Sequence, residues 1–189
     1  MGVVETDGKR YVTYLHKGEE FNVEDIFTNL SNKYSYKPDC AWWGSPEECG
    51  YSWKDYVTFE YGKSDYDFDK PIKWHLEEGS KIYQIDHKDV QPVMENEFLK
   101  YIYYADYSGN RIPMPMNEMV LALKDVVNFE KSPKIDYYKL LDDGIVAVEL
   151  MDSCIGHLFF NGLETMFNSW DCESIVVLDS SKIIFDQEE

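Results

Sequence analysis

Basic residues are scarce in this chain of 189 residues. Lysine and arginine together number 18 against 36 aspartates and glutamates, which gives a formal net charge of -18. A surface of this kind repels nucleic-acid phosphates, so direct binding of DNA or RNA is disfavoured. The same charge suits a basic protein partner, or it serves only to keep the protein soluble.

Cysteine is also scarce, and its spacing excludes the common zinc motifs. Cys40, Cys49, Cys154 and Cys172 are the four cysteines, and no two of them form a C-x-x-C pair. His157 follows Cys154 by three residues, which is a weak pair of ligands. We therefore expect no metal site.

Long apolar runs and glycine-rich phosphate motifs are missing. No stretch approaches the ~20 apolar residues of a membrane helix, and the polar residues 1–10 show no secretory signal. We therefore expect no membrane association, and a cytoplasm with reduced thiols is the default compartment. The sequence also lacks the dinucleotide-binding G-x-G-x-x-G, the P-loop and the G-x-S-x-G elbow.

What the chain does have is enough apolar surface for a core. Hydrophobic residues make up 44% and aromatic residues 16%, with 15 tyrosines, so residues 1–189 are expected to form a single domain. Strands are predicted over 11–15, 41–43, 72–76, 81–86, 145–150, 158–160 and 175–178. Helices are predicted after Asn22, over 52–59 from a Ser52–Asp55 capping box, and over 94–107, 119–127 and 133–141. This irregular order predicts an α+β fold.

Local signals predict how two pairs of these elements connect. Residues 44–46, Gly-Ser-Pro, favour a turn after the strand at 41–43. The Glu77-Glu78-Gly79 turn predicts that strands 72–76 and 81–86 form a hairpin.

Two carboxylates precede the apolar, β-branched run at 175–178. If the strand already runs there, the spacing of two places Asp171 and Glu173 on one face. The alternative is a solvated acidic loop. Two carboxylates this close would titrate as a coupled pair, and the pKa of one of them would be raised towards the working pH.

Several short motifs resemble small ADP-ribosyltransferase-like proteins of prokaryotic and phage type. Residues 74–83, Trp-His-Leu-Glu-Glu-Gly-Ser-Lys-Ile-Tyr, are similar to the family's F-x-L-x-x-G-x-K-I-L hairpin. Residues 170–179 resemble its last catalytic strand, in which a Glu opens E-x-V-V-F-D/N-P. Residues 143–145 look like its D-G-I element, and 43–56 look like its W-x-S-P…G-W-K-x-W stretch.

The resemblance implies split antiparallel β-sheets with flanking helices and a cleft that binds NAD as the substrate. It implies a catalytic carboxylate at Glu173, with Asp171 as a second acid that deprotonates an acceptor. It also implies cofactor-binding roles for His16 at the adenosine-side ribose or phosphates, Ser45 at the nicotinamide amide, and Trp43 as a stacking platform. Tyr56 is the fallback for Ser45. Structural roles remain open for each: His16 ending a strand, Ser45 capping a turn, and Trp43 in the core.

The implied reaction is mono-ADP-ribosyl transfer from NAD to a protein, with NAD hydrolysis as a side reaction. Breaking the nicotinamide–ribose bond develops positive charge on the sugar, and a fixed carboxylate stabilises that oxocarbenium-like state. The alternative function is a non-enzymatic acidic protein that occupies a basic site on a partner, as phage inhibitors of host defence (anti-CRISPR proteins among them) do. Its contact stretch would be residues 65–69, where Asp65, Asp67 and Asp69 alternate with Tyr66 and Phe68.

Overall fold

The computed structural model describes residues 2–26, 28–31, 37–38, 40–62, 65–85, 98–106, 108–113, 132–151, 159–160, 163–164 and 170–186. Strands dominate this part of the chain, and short helices lie between them. The strands are β1 (Gly2–Glu5), β2 (Arg10–Thr13), β3 (Trp42–Pro46), β4 (Ile72–Leu76), β5 (Lys81–Ile85), β6 (Ile102–Ala105), β7 (Arg111–Ile112), β8 (Ser132–Ile135), β9 (Ile145–Leu150), β10 (Phe159–Phe160), β11 (Leu163–Glu164), β12 (Ser174–Val177) and β13 (Ile183–Phe185). The α-helices are α1 (Trp53–Tyr61) and α2 (Tyr137–Asp142), and 3-10 turns cover Val23–Asp25, Phe98–Tyr101 and Ser180–Lys182. The α+β class predicted from the sequence is confirmed.

Eight strands form one mixed sheet in the order β1-β5-β9-β12-β3-β2-β4-β13. The β5–β9 pair is parallel, and the other neighbours are antiparallel. The predicted strand near the end of the chain is β12, which lies in the interior of the sheet with all four residues buried. Strands β7-β6-β8 form a smaller sheet, and β10 pairs with β11.

The large sheet folds over on itself. Neighbouring strands lie about 4.8 Å apart, so β5 and β4, five positions apart in the order, would be about 24 Å apart in a flat sheet. Only residues 77–80 separate the end of β4 from the start of β5, and Tyr11 of β2 donates to Glu149 of β9 at 3.2 Å, so these strands lie closer than a flat sheet allows. The two halves of the sheet therefore enclose an inner cluster, whose fully buried members are Tyr11, Trp74, Leu76, Ile82, Val146, Ala147, Ile175 and Val177.

The outer face of the same strands carries a second core. Side chains alternate along β9 and β12, so Val148 and Val176 point away from the inner cluster. They pack with the small sheet and with Leu140 of α2 in the outer cluster. The sheet is thus buried on both faces at β9 and β12, which explains why their residues are mostly apolar.

The predicted hairpin between strands 72–76 and 81–86 is wrong. The turn forms, with the Ser80 N–H donating to the Glu77 carbonyl (3.1 Å) and Gly79 at φ 76°. However, β4 pairs with β2 and β13, whereas β5 pairs with β1 and β9. Each strand finds partners from distant parts of the chain, because the turn links the two halves of the folded sheet.

Three other local predictions need correction. Residues 44–46 are not a turn but the second half of β3, where Pro46 lies at the strand end that a proline tolerates. In the described part of the helix predicted over 94–107, residues 98–106, a 3-10 turn is followed by β6, and the helix predicted over 133–141 is most of β8 followed by α2. The helix predicted over 119–127 lies outside the described residues.

Candidate functional site

A cavity of about 320 Å³ opens beside β2 and β3, on the side of the sheet opposite the inner cluster. The entry to β12, the start of α1 and the loop at residue 66 complete its walls. Its lining is mostly aromatic or small and carries few charges: Val12, Thr13, Tyr14, Lys37, Trp43, Gly44, Ser45, Trp53, Tyr66, Asp171, Cys172 and Ser174. Three residues predicted from the sequence, Trp43, Ser45 and Asp171, therefore meet in one cavity.

Ser45 joins the floor of the cavity to helix α1. It is 1% exposed and lies opposite Val12 in the β2–β3 register. Its Oγ accepts a hydrogen bond from the N–H of Trp53, the first residue of α1, at 2.9 Å. That N–H has no partner within the helix, so Ser45 caps α1 together with Ser52.

Cys172 lies against Ser45, with 4.0 Å between Sγ and Oγ. Burial raises the pKa of the Cys172 thiol to about 12, although the contact with Ser45 opposes the shift. The thiol is therefore protonated at neutral pH and is a poor nucleophile. Cys172 is therefore part of the cavity wall and does not serve as a nucleophile there.

A row of stacked rings forms one wall and connects His16 to the cavity. Trp53 and Tyr66 pack edge to face, with ring centroids 5.8 Å apart. Tyr66 in turn stacks on His16 at 4.2 Å, and the two residues form an isolated β-bridge. His16 thus stands behind Tyr66, one ring away from the cavity lining.

Trp43 forms the opposite wall and is held in place from behind. The fully buried Trp170 packs edge to face on it, with centroids 4.8 Å apart. On its cavity side the Lys37 ammonium group lies 5.3 Å from the ring centroid. The same Nζ is 3.6 Å from Oδ2 of Asp171, and both of these side chains are about one third exposed.

The two carboxylates predicted to share a face do not. Asp171 lines the cavity, whereas Glu173 is buried and its Oε1 lies 3.7 Å from the Lys9 Nζ. The chain bends at Cys172-Glu173 and β12 begins only at Ser174, so strand alternation does not apply to residues 171–173. The backbone N–H of Glu173 donates instead to the Tyr51 carbonyl at 3.1 Å.

Glu173 belongs to a buried polar group on the inner side of the sheet. The Lys9 ammonium group also donates to Glu149, a fully buried carboxylate, at 2.8 Å. Tyr11 and Gln84 donate to Glu149 as well, at 3.2 and 2.7 Å. Glu149 shares its sheet face with Ile175, its register partner in the inner cluster, so this group and the cavity lie on opposite faces.

Tyr56, the predicted fallback for Ser45, is not among the residues that line the cavity. It lies one turn along α1 and packs on Trp53, with centroids 5.4 Å apart. Burial and the negative charge of Asp171 raise the pKa of the Tyr56 phenol to about 12. Helix α1 therefore contributes Trp53 to the wall, with Tyr56 as its support.

Sequence reasoning missed Lys37, Trp53 and Tyr66 as parts of this site. Trp53 is adjacent to the capping box, and that signal could have indicated its position at a helix start. Lys37 and Tyr66 reach the cavity through loops, and no local pattern marks them.

Comparison with protein-family models, with curated protein sequences and with solved structures gives no significant match to this chain. Within the described residues, no three His, Cys, Asp or Glu side chains are arranged to hold a metal ion. No helix in that part of the chain has the length and apolar character needed to cross a membrane.

Proposed function

We propose that this protein is a mono-ADP-ribosyltransferase that binds the nicotinamide end of NAD in the aromatic cavity. The observation that supports this most is the convergence of Trp43, Ser45 and Asp171 on one cavity. These residues come from two motifs, 43–56 and 170–179, that resemble the family. Asp171 follows Ser45 by 126 positions and Trp43 by 128, whereas Trp43 and Ser45 are two positions apart on one strand.

The size and walls of the cavity suit one end of a dinucleotide. Ligand pockets typically span about 300–1,000 Å³, and 320 Å³ is at the small end of this range. Trp43, Trp53 and Tyr66 offer flat surfaces against which a pyridine ring packs. The adenosine half would extend outside, past Tyr66 towards His16.

Asp171, rather than Glu173, is the carboxylate that we assign to the reacting ribose. Asp171 lines the cavity, whereas Glu173 faces Lys9 on the other side of the sheet. The bond between the anomeric carbon and the ring nitrogen breaks, and its electron pair leaves with nicotinamide. The Asp171 carboxylate stabilises the positive charge that develops on the sugar. A nucleophile of the acceptor protein then bonds to the anomeric carbon and releases its proton to solvent.

The folded sheet shares one feature with the architecture that the resemblance implies, namely two facing groups of strands. A split pair of sheets with a cleft is the architecture that the resemblance implies, and here one continuous sheet bends so that its two halves face each other. The candidate cavity itself lies on the outer face of the sheet, at β2, β3 and the entry to β12, because the buried inner cluster fills the space between the halves.

The test measures two quantities for the wild-type protein and two variants. These are the release of nicotinamide from NAD and the transfer of labelled ADP-ribose to lysate proteins. Asp171→Asn should lose about 100–1,000-fold in rate, the usual loss when one electrostatic group is removed from such a site. Glu173→Gln is the matched control and should keep the activity, provided a melting curve shows it folded. Loss in Glu173→Gln with activity kept in Asp171→Asn would assign the reaction to Glu173. Absence of nicotinamide release by the wild-type protein would refute the enzymatic proposal.

A second candidate is the acidic binding protein that the composition suggests. An open groove of about 940 Å³ favours it, because Glu19, Glu20, Asp67 and Asp186 outnumber Lys70 and Lys73 in its lining. Tyr66 and Phe68 are poorly placed to contact a partner as part of the stretch 65–69. Both are partly buried, and their rings pack on His16 and Tyr14. Capture of a basic partner by a protein with no NAD activity would favour this candidate.

A further inference from the structure

The Lys37 ammonium group occupies a small cation site at the cavity wall. A carboxylate oxygen of Asp171 lies 3.6 Å from it, and the face of Trp43 lies 5.3 Å from it. A carboxylate and an indole face together attract a positive charge, and among aromatic side chains Trp attracts cations best. Lys37 thus occupies a position that would also suit a positively charged aromatic ring.

We propose that the cavity selects a flat aromatic cation, which displaces the Lys37 ammonium group from between Asp171 and Trp43. A pyridinium ring would stack on Trp43 and place its charge beside Asp171, so it would replace the contacts of Lys37 with these two groups. A neutral ring gains only the stacking and leaves the carboxylate with its lysine. The inference deepens the proposed function, on which its link to NAD rests: it selects oxidised nicotinamide, which is positively charged, over the neutral reduced form.

The positions of the neighbouring groups make displacement feasible. Lys37 is about one third exposed, so its side chain has solvent to move into. Trp43, by contrast, is fixed from behind by the buried Trp170, so the platform stays when the lysine leaves. Displacement therefore exchanges one cation for another on a preformed surface.

The test compares two probes of nearly equal shape, the N-methylnicotinamide cation and neutral nicotinamide, by calorimetric titration. The wild-type protein should bind the cation about tenfold more tightly, or by about 1.4 kcal/mol, which lies between the strengths of an exposed and a desolvated cation–π contact. Lys37→Met should tighten binding of the cation several-fold, because the internal competitor is gone, and leave the neutral probe nearly unchanged. Asp171→Asn should weaken the preference, because only the Trp43 face then distinguishes the charged probe from the neutral one.

Lys54→Met is the matched control, since Lys54 also lies over an aromatic ring, that of Phe68 at 5.8 Å, but does not line the cavity. It should behave as the wild type. Equal affinity for the two probes, or weaker cation binding by Lys37→Met, would overturn the inference. These outcomes are independent of turnover: a protein that prefers the cation but releases no nicotinamide refutes only the enzymatic proposal.

Discussion

Replacing Lys9 by methionine should destabilise the fold substantially without touching the cavity. Glu149 is fully buried and accepts hydrogen bonds from Lys9, Tyr11 and Gln84, of which only Lys9 is charged. The same ammonium group lies 3.7 Å from the buried Glu173. Methionine keeps most of the apolar stem of lysine but removes the cation that both carboxylates share.

The expected loss follows from the burial of each partner. Removing one partner of a buried ion pair typically costs about 3–5 kcal/mol, because it leaves an uncompensated charge. The Lys9 side chain is 30% exposed, so water screens the pair, and we expect the lower end, about 3 kcal/mol. In a chain of this size, that corresponds to a melting temperature lowered by about 6–12 °C.

Urea denaturation followed by circular dichroism measures this loss. Lys81→Met is the control, since Lys81 is exposed on β5 and a surface change of this kind stays within about 0.5 kcal/mol. Adding Glu149→Gln to Lys9→Met should recover part of the loss, because the amide removes the uncompensated charge. A Lys9→Met protein as stable as Lys81→Met would refute the account of this buried group.

Three further predictions concern the cavity and its supporting helix. Gly44→Ala should destabilise the protein by about 1–3 kcal/mol in thermal melts, because its Cβ would lie 2.6 Å from Cζ2 of Trp74; unchanged stability would contradict this close packing. Cys172, with its thiol pKa raised to about 12, should resist iodoacetamide in the native protein at about pH 8 and react once the protein is unfolded in urea; rapid native alkylation, located by peptide mass, would contradict its burial. Ser52→Ala should cost about 1 kcal/mol at about pH 7 by urea denaturation. Hydrogen bonds from Ser52 lower the pKa of Asp55, so their stabilisation is present above the unfolded pKa of about 3.9 and is lost as pH falls through the lower folded value. The deficit of Ser52→Ala should therefore shrink in acid, and a deficit independent of pH would contradict the capping box.

Local signals in the sequence predicted those elements whose cause is local. The Ser52–Asp55 capping box sets the start of α1, and the side chain of Asn22 is a cap as expected, although it begins a 3-10 turn rather than the predicted helix. The mostly apolar residues 145–150 and the continuous apolar run at 175–178 predicted two strands, β9 and β12, that the structure buries on both faces. In each case the signal comes from residues that are adjacent in the sequence.

Pairing between distant segments could not be predicted in this way. The turn at Gly79 is correct, but the partners of β4 and β5 depend on strands up to about a hundred residues away. Residues 44–46 have a turn-like composition, yet Gly44 is there to admit Trp74. The side chains of Asp171 and Glu173 lie on opposite sides of the sheet because the chain bends at Cys172-Glu173, and a spacing of two residues does not reveal that bend.

The central claim is that the aromatic cavity binds NAD, and a calorimetric titration with NAD tests it most directly. Val12→Phe should fill the cavity, which Val12 lines, whereas Val3→Phe adds the same ring at a site 49% exposed on the surface. Both variants must first show a wild-type circular dichroism spectrum, since overpacking can cost about 1–3 kcal/mol. The account predicts that the wild-type protein and Val3→Phe bind NAD alike and that Val12→Phe does not bind it. Undiminished binding by Val12→Phe, or no binding by the wild-type protein, would contradict the account.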